Sequence, residues 1–269
     1  SNIDKLKPSI STVTIDNITE NSFVIKAIAK DADASPLYGK SEIKSIEFYI
    51  NGKLYKTIEP EGEEKPSECK VENLKPGTTY QYYVKTIDNA KNESEVTETK
   101  TQKTLEVYNI TYNGNGATGG STANQIKVEN KDIKLQNNGF IRTGYHFIGW
   151  NTKADGTGLS YSEEFNYTSN NKLDLYAKWE ANEYTLKYNA TGGTVTPTSK
   201  QIKYESTYGE LPTPTRRGYT FNGWYTEETN GTKIESTAKF ILTTDQTIYA
   251  HWTAHEIIAE LEETEYTYD

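Results

Sequence analysis

The residues of this chain that could do chemistry are few. Four tryptophans, Trp150, Trp179, Trp224 and Trp252, could stack on sugar rings. Two acidic pairs, Glu163-Glu164 and Glu227-Glu228, invite comparison with a glycosidase, whose carboxylates face one another about 5–9.5 Å apart. Adjacent residues of a strand point to opposite faces, so both pairs read as solvated loop. Asp31-Ala32-Asp33 offers two carboxylates where calcium takes about 6–8 oxygens, and it reads as a turn. Cys69 is the only cysteine, which excludes an internal disulfide and a zinc cluster. It falls in an alternating run and reads as a small buried hydrophobe. The three histidines, His146, His251 and His255, form no HExxH pattern. Lysine and asparagine are abundant, but no pair is singled out for an isopeptide bond. The sequence therefore gives no catalytic, cofactor-binding or metal-binding residue, and the chain is expected not to be an enzyme.

The elements that hold these residues announce themselves by alternation. Residues 10–15, 22–28, 43–50, 53–58, 67–72, 78–87 and 94–102 read as strands, with Phe23, Ile25 and Ala27 on one face. Asn51-Gly52 separates two alternating runs and signals a type I′ hairpin turn, because both central residues need positive φ. About seven short strands with turns between them argue for an antiparallel sandwich.

The rest of the chain repeats itself. Arg142-Thr-Gly-Tyr-His-Phe-Ile-Gly-Trp150 recurs, 74 residues on, as Arg216-Arg-Gly-Tyr-Thr-Phe-Asn-Gly-Trp224. Tyr108-Asn-Ile-Thr-Tyr112 matches Tyr184-Thr-Leu-Lys-Tyr188, and Leu175-Tyr-Ala-Lys-Trp179 matches Ile248-Tyr-Ala-His-Trp252. Repetition at matched positions assigns the tryptophans to the interior, since each copy must fill the same core with few aliphatics. Within the motif Tyr, Phe and the second Gly share one phase, and that Gly leaves room for the Trp ring over the backbone. His251 falls where the first copy has Lys178, so a His251–His255 ligand pair has no support.

Composition bounds the function. The net charge is −9 with 29 basic and 38 acidic residues, and residues 253–269 hold six acids and no Lys or Arg. The body is near neutral. Three arginines and no basic patch argue against nucleic acid. No apolar run reaches the roughly 18 residues of a membrane span, so no direct membrane insertion is expected of this fragment. Ser1-Asn2 without an initiator methionine reads as a cloning remnant, and the chain is expected to be a piece of a longer protein.

Two resemblances sharpen these expectations. Leu74-Lys-Pro-Gly-Thr-Thr-Tyr80-Gln-Tyr82 resembles the start of strand F in fibronectin type III domains, which implies that Tyr80 makes a tyrosine corner. The usual Trp of the second strand is missing, with Phe23 or Ile25 in its place, and no Arg-Gly-Asp is present. R-x-G-Y-x-F-x-G-W, the closing Tyr-Ala-x-Trp and Leu211-Pro-Thr-Pro-Thr-Arg216 resemble the internalin B-repeat, or Listeria–Bacteroides repeat, family. In the first copy Leu135-Gln-Asn-Asn-Gly-Phe-Ile-Arg142 replaces the double-proline turn. That resemblance implies small β-grasp-like domains on secreted or wall-attached bacterial proteins, with no catalytic residues.

The expected architecture is mainly β and modular. Residues 1–105 form an immunoglobulin-like fibronectin type III sandwich, 106–180 and 181–252 two B-repeats, and 253–269 an acidic tail or connector. In that tail Thr253-Ala-His-Glu256 has the form of a capping box and predicts a short helix over 254–263, after which the chain enters the first strand of a further module. The expected function is a non-enzymatic surface module of a Gram-positive bacterium, acting as a stalk or in adhesion. It would be extracellular and monomeric, without cofactor, and its partner a protein or a glycan. The alternatives are a carbohydrate-binding accessory region of a glycan-degrading enzyme and the soluble part of a pilin-like subunit.

Overall fold

A computed structural model of the chain describes residues 4–33 and 39–256. Twenty strands and no helix occur among the described residues. Seven strands precede the repeats: β1 (Ser9–Asp16), β2 (Phe23–Lys30), β3 (Ile43–Ile50), β4 (Lys53–Ile58), β5 (Pro66–Val71), β6 (Thr79–Asp88) and β7 (Lys100–Lys103). They form two sheets, in the orders β1-β2-β5 and β4-β3-β6-β7, with antiparallel pairing throughout. The alternating apolar residues Phe23, Ile25 and Ala27 of β2 share one core with Ile46 and Phe48 of β3, Cys69 and Val71 of β5, and Tyr82 and Val84 of β6. Asn51 and Gly52 both take positive φ between β3 and β4, as a type I′ turn demands.

The last strand is shorter than its sequence pattern. Residues 94–97 run beside β6, but the Thr86 N–H donates to Ser94 Oγ and the Val84 N–H to Thr97 Oγ1. Side-chain hydroxyls thus replace two carbonyls of the ladder, and a regular strand begins only at Lys100.

The first repeat holds β8 (Val107–Asn113), β9 (Gly119–Gly120), β10 (Gln125–Val128), β11 (Ile133–Lys134) and β12 (Phe140–Ile141). It continues with β13 (Tyr145–Asn151), β14 (Ser160–Tyr161), β15 (Asn166–Tyr167) and β16 (Leu173–Ala181). The second holds β17 (Glu183–Asn189), β18 (Ser199–Lys203), β19 (Tyr219–Tyr225) and β20 (Gln246–Ala254). Its sheet has the order β18-β17-β20-β19, with β17 and β20 parallel and the outer pairs antiparallel. The first repeat repeats that order as β10-β8-β16-β13 and adds β14 at the edge.

By contacts the chain divides into two compact units. One is Ser1–Thr111 with Ala123–Leu135 and Glu164–Asp174, and the other Tyr112–Thr122 with Gln136–Glu163 and everything from Leu175 onward.

At the end of β20 the structure corrects the capping box. Thr253 and Ala254 are strand residues, and the Thr253 hydroxyl pairs with the Asn222 amide. A strand hydroxyl already bonded across the sheet cannot cap a helix. Residues 257–269, over which most of the expected helix and the expected first strand of a further module fall, lie outside the described residues.

Candidate functional site

The motif R-x-G-Y-x-F-x-G-W is assembled the same way in both repeats. A turn opens it: the Tyr145 N–H donates to the Arg142 carbonyl and the Tyr219 N–H to the Arg216 carbonyl. Gly144 and Gly218 sit at φ 76° and 78°, the left-handed position that a type II turn requires at its third residue. Each Arg then lies over the Tyr three residues on, with 4.0 and 3.9 Å from guanidinium carbon to ring centroid, a cation–π contact.

The second glycine makes a bulge. The register of β13 against β16 shifts between Phe147 and Gly149, and that of β19 against β20 shifts between Phe221 and Gly223. Phe147 pairs with Trp179 and Trp150 with Ala177, so the extra residue brings Phe and Trp, three apart, onto one face. A regular strand would oppose them. Their ring centroids are 4.9 Å apart in the first repeat and 5.6 Å in the second. The glycine is needed for this bulge, at φ 136° and 133°, rather than to let the Trp ring lie over the backbone.

All four indoles are spent internally. Trp150 is 0% and Trp224 2% exposed, while Trp179 and Trp252 are half-buried. The Trp150 and Trp224 N–H groups donate to the carbonyls of Gln136 and Pro212. Those of Trp179 and Trp252 donate to the carbonyls of Gly114 and Ala190. Behind the buried indoles the copies differ. The Gln136 N–H donates to the Tyr112 hydroxyl at 2.9 Å, whereas Pro212, in the equivalent place, has no N–H. The buried Tyr188 hydroxyl is consequently left without a partner among the described residues, and burial pushes its phenol up to about 12.

The remaining chemical candidates disperse. Glu163, Glu164, Glu227 and Glu228 are exposed, and Glu163 accepts the Asn138 N–H. His251 stacks on Tyr225 at 3.8 Å and meets the Glu227 carbonyl, while His255 meets the Thr220 hydroxyl. Cys69 is buried, and burial pushes its thiol up to about 11, the wrong direction for a nucleophile. Asp33 is not with Asp31. Asp31 instead meets Asp4 and Asp88, with one oxygen of each within 4.8 Å of the others. Partners 27 and 57 residues away cannot be read from local spacing. These carboxylates are the oxygen ligands that a hard cation takes, yet each is already an acceptor. Asp4 takes the Leu6 and Ser41 N–H groups and the Ser41 hydroxyl, Asp31 those of Ala32, Ser41 and Glu42, and Asp88 the Asn92 N–H and side-chain amide. The Leu6 N–H, then the Ser41 hydroxyl, hold the Asp4 carboxyl below its ordinary value. No helix among the described residues is long and apolar enough to cross a membrane.

The Listeria-Bacteroides repeat domain matches residues 108–178 and 184–251. Those segments make up more than half of the chain, which belongs to that family. Internalin H of Listeria monocytogenes is 29% identical over 159 residues, 59% of this chain and 27% of that protein. A candidate Gly-rich membrane protein of Evansella cellulosilytica is 27% identical over 170 residues, 60% of this chain and 19% of its own. The chain thus spans about a fifth to a quarter of the length of these curated relatives. Among solved structures, a family 28 exopolygalacturonase of Yersinia enterocolitica aligns over 39% of this chain and 21% of its own. At 16% identity and a TM-score of 0.28, that likeness is too slight to bear on fold or activity.

Proposed function

We propose that this chain is a non-enzymatic structural module of an extracellular, cell-surface bacterial protein, serving as a stalk or in adhesion. One observation carries the reading: within each repeat the motif Arg lies over the motif Tyr and the motif Phe packs against the buried motif Trp, so the signature side chains are spent on one another. A module whose signature residues are consumed by its own architecture is built for support. The relatives' names, an internalin and a membrane protein, favour the surface setting.

The parts of the proposal are residues 1–105 as a fibronectin type III-like sandwich, 106–180 and 181–252 as two β-grasp-like repeats, and 253–269 as a connector. The first is supported by its three- and four-stranded sheet orders and by the Tyr80 hydroxyl, which accepts the Lys75 N–H at 2.9 Å as a tyrosine corner would. The second is supported by the central parallel pair β17–β20 flanked by antiparallel strands.

A glycan array probed with the full chain tests the reading. The expected result is no sugar binding that depends on Trp179 or Trp252, the two half-buried rings. Sugar binding lost in Trp179→Ala or Trp252→Ala, with the fold retained, would assign the chain to carbohydrate recognition instead.

A further inference from the structure

The turn that opens the motif in the first repeat is also a docking face. The ring of Tyr204, at the end of β18 in the second repeat, lies against Gly144 so closely that a Cβ there would sit 2.3 Å from its Cγ and Cδ1. Tyr145 and Tyr204 meet edge to face at 5.7 Å, and the Tyr145 hydroxyl donates to Glu205 Oε2 at 2.6 Å. The Asn182 N–H donates to the Gly144 carbonyl, and the Tyr204 N–H donates to the Asn182 carbonyl, so Asn182 ties the two repeats through its backbone.

The second repeat rebuilds the receiving half of this joint. Arg216 stacks on Tyr219 as Arg142 does on Tyr145. The His255 N–H donates to the Gly218 carbonyl at 2.9 Å, the same length as the Asn182–Gly144 bond. Even the side-chain pair is kept in kind, His146 with Asn182 at one joint and Thr220 with His255 at the other. Yet among the described residues nothing lies within 4 Å of a Cβ built at Gly218, and the Tyr219 hydroxyl has no counterpart of Glu205.

We propose that the face made by Arg216, Gly218 and Tyr219 receives a further repeat of this same family, through a Tyr–Glu turn equivalent to Tyr204-Glu205. A second copy of the chain does not supply that turn, because its own Tyr204-Glu205 is already seated on Gly144 and Tyr145. Nor does the first repeat, whose corresponding turn reads Val128-Glu129-Asn130 and lacks the ring. The occupant is a repeat joined as the second is joined to the first, with a short backbone tie in place of Asn182.

The test extends the full chain, joining Ala254 directly to a second copy of residues 182–256, and follows the phenol titration of Tyr219 by nuclear magnetic resonance. In the native chain the bond to Glu205 holds the Tyr145 phenol above its ordinary value. In the extended chain Tyr219 is expected to rise to match Tyr145, and to fall back when the appended Glu205 becomes Gln. A Tyr219 that stays unmoved beside a folded third repeat overturns the proposal. Gly144→Ala gives a second route, since it expels Tyr204 and frees the turn. That variant is expected to self-associate with a rise at Tyr219 that Gly218→Ala abolishes, and a monomer with Tyr219 unmoved counts against the docking face.

Discussion

At the scale of single residues, one missing hydrogen separates the two repeats. Tyr112 and Tyr188 occupy the same place beside Trp150 and Trp224, with ring centroids 4.8 and 5.2 Å away. Only Tyr112 finds a backbone donor, because proline has no N–H. Removing a bonded hydroxyl forfeits about 0.5–1.5 kcal/mol, whereas removing an unsatisfied one relieves a desolvation cost. Tyr112→Phe is therefore expected to destabilise by about that amount and Tyr188→Phe to be neutral or stabilising, as measured by chemical denaturation. The same orphan sets a pH dependence. Its folded phenol stands at about 12, above the unfolded value near 10, so the folded state holds the proton more tightly. The contribution is fully present below pH about 10 and is lost as pH rises through the folded value. Tyr188→Phe is expected to blunt the loss of stability in that alkaline window, read by unfolding at a series of pH values.

At the scale of elements, the bulge in β13 and β19 decides where the aromatic rings go. Gly149 adopts φ 136°, where a side chain is strained, and a Cβ would also meet the Tyr161 carbonyl at 3.2 Å. Gly149→Ala is expected to cost about 1–3 kcal/mol, seen as a lowered denaturation midpoint for the first repeat. The alternation of Tyr and Phe was legible from the residues, but the expected continuation to Gly149 fails: Gly149 pairs with Lys178, on the other face from Phe147, and Trp150 takes its place, a phase change that depends on pairing with β16.

The edge strand β10 hides a second change of register. Gln125-Ile126-Lys127 and Gln201-Ile202-Lys203 are identical in sequence, yet Lys127 pairs with Tyr108 where Ile202 pairs with the equivalent Tyr184. A one-residue slip exchanges the faces of a strand. Ile126 is accordingly 62% exposed and Lys127 fully buried, against 4% for Ile202. Asn170 receives the Lys127 ammonium at 2.8 Å, a partner 43 residues away that no local pattern could name. The Asn51-Gly52 hairpin and the Tyr80 bond were readable because both are local, the latter spanning five residues. The Asp4, Asp31 and Asp88 cluster was not, because it exists only once three distant segments meet.

At the scale of the whole molecule, the claim that matters is that the family motif builds the repeats and the joint between them rather than a ligand-binding surface. The burial of Trp150 and Trp224, the four indole bonds to carbonyls and the paired Arg–Tyr stacks all belong to that account. The most direct measurement is urea denaturation of the full chain carrying Trp150→Ala or Trp224→Ala, followed by the fluorescence of the remaining tryptophans, which all lie in the repeats. The account predicts that each substitution lowers the stability of its own repeat by about 3–5 kcal/mol, as for other buried aromatics. An unchanged midpoint for both variants would contradict it, because rings that can be removed without cost are not what holds these domains together.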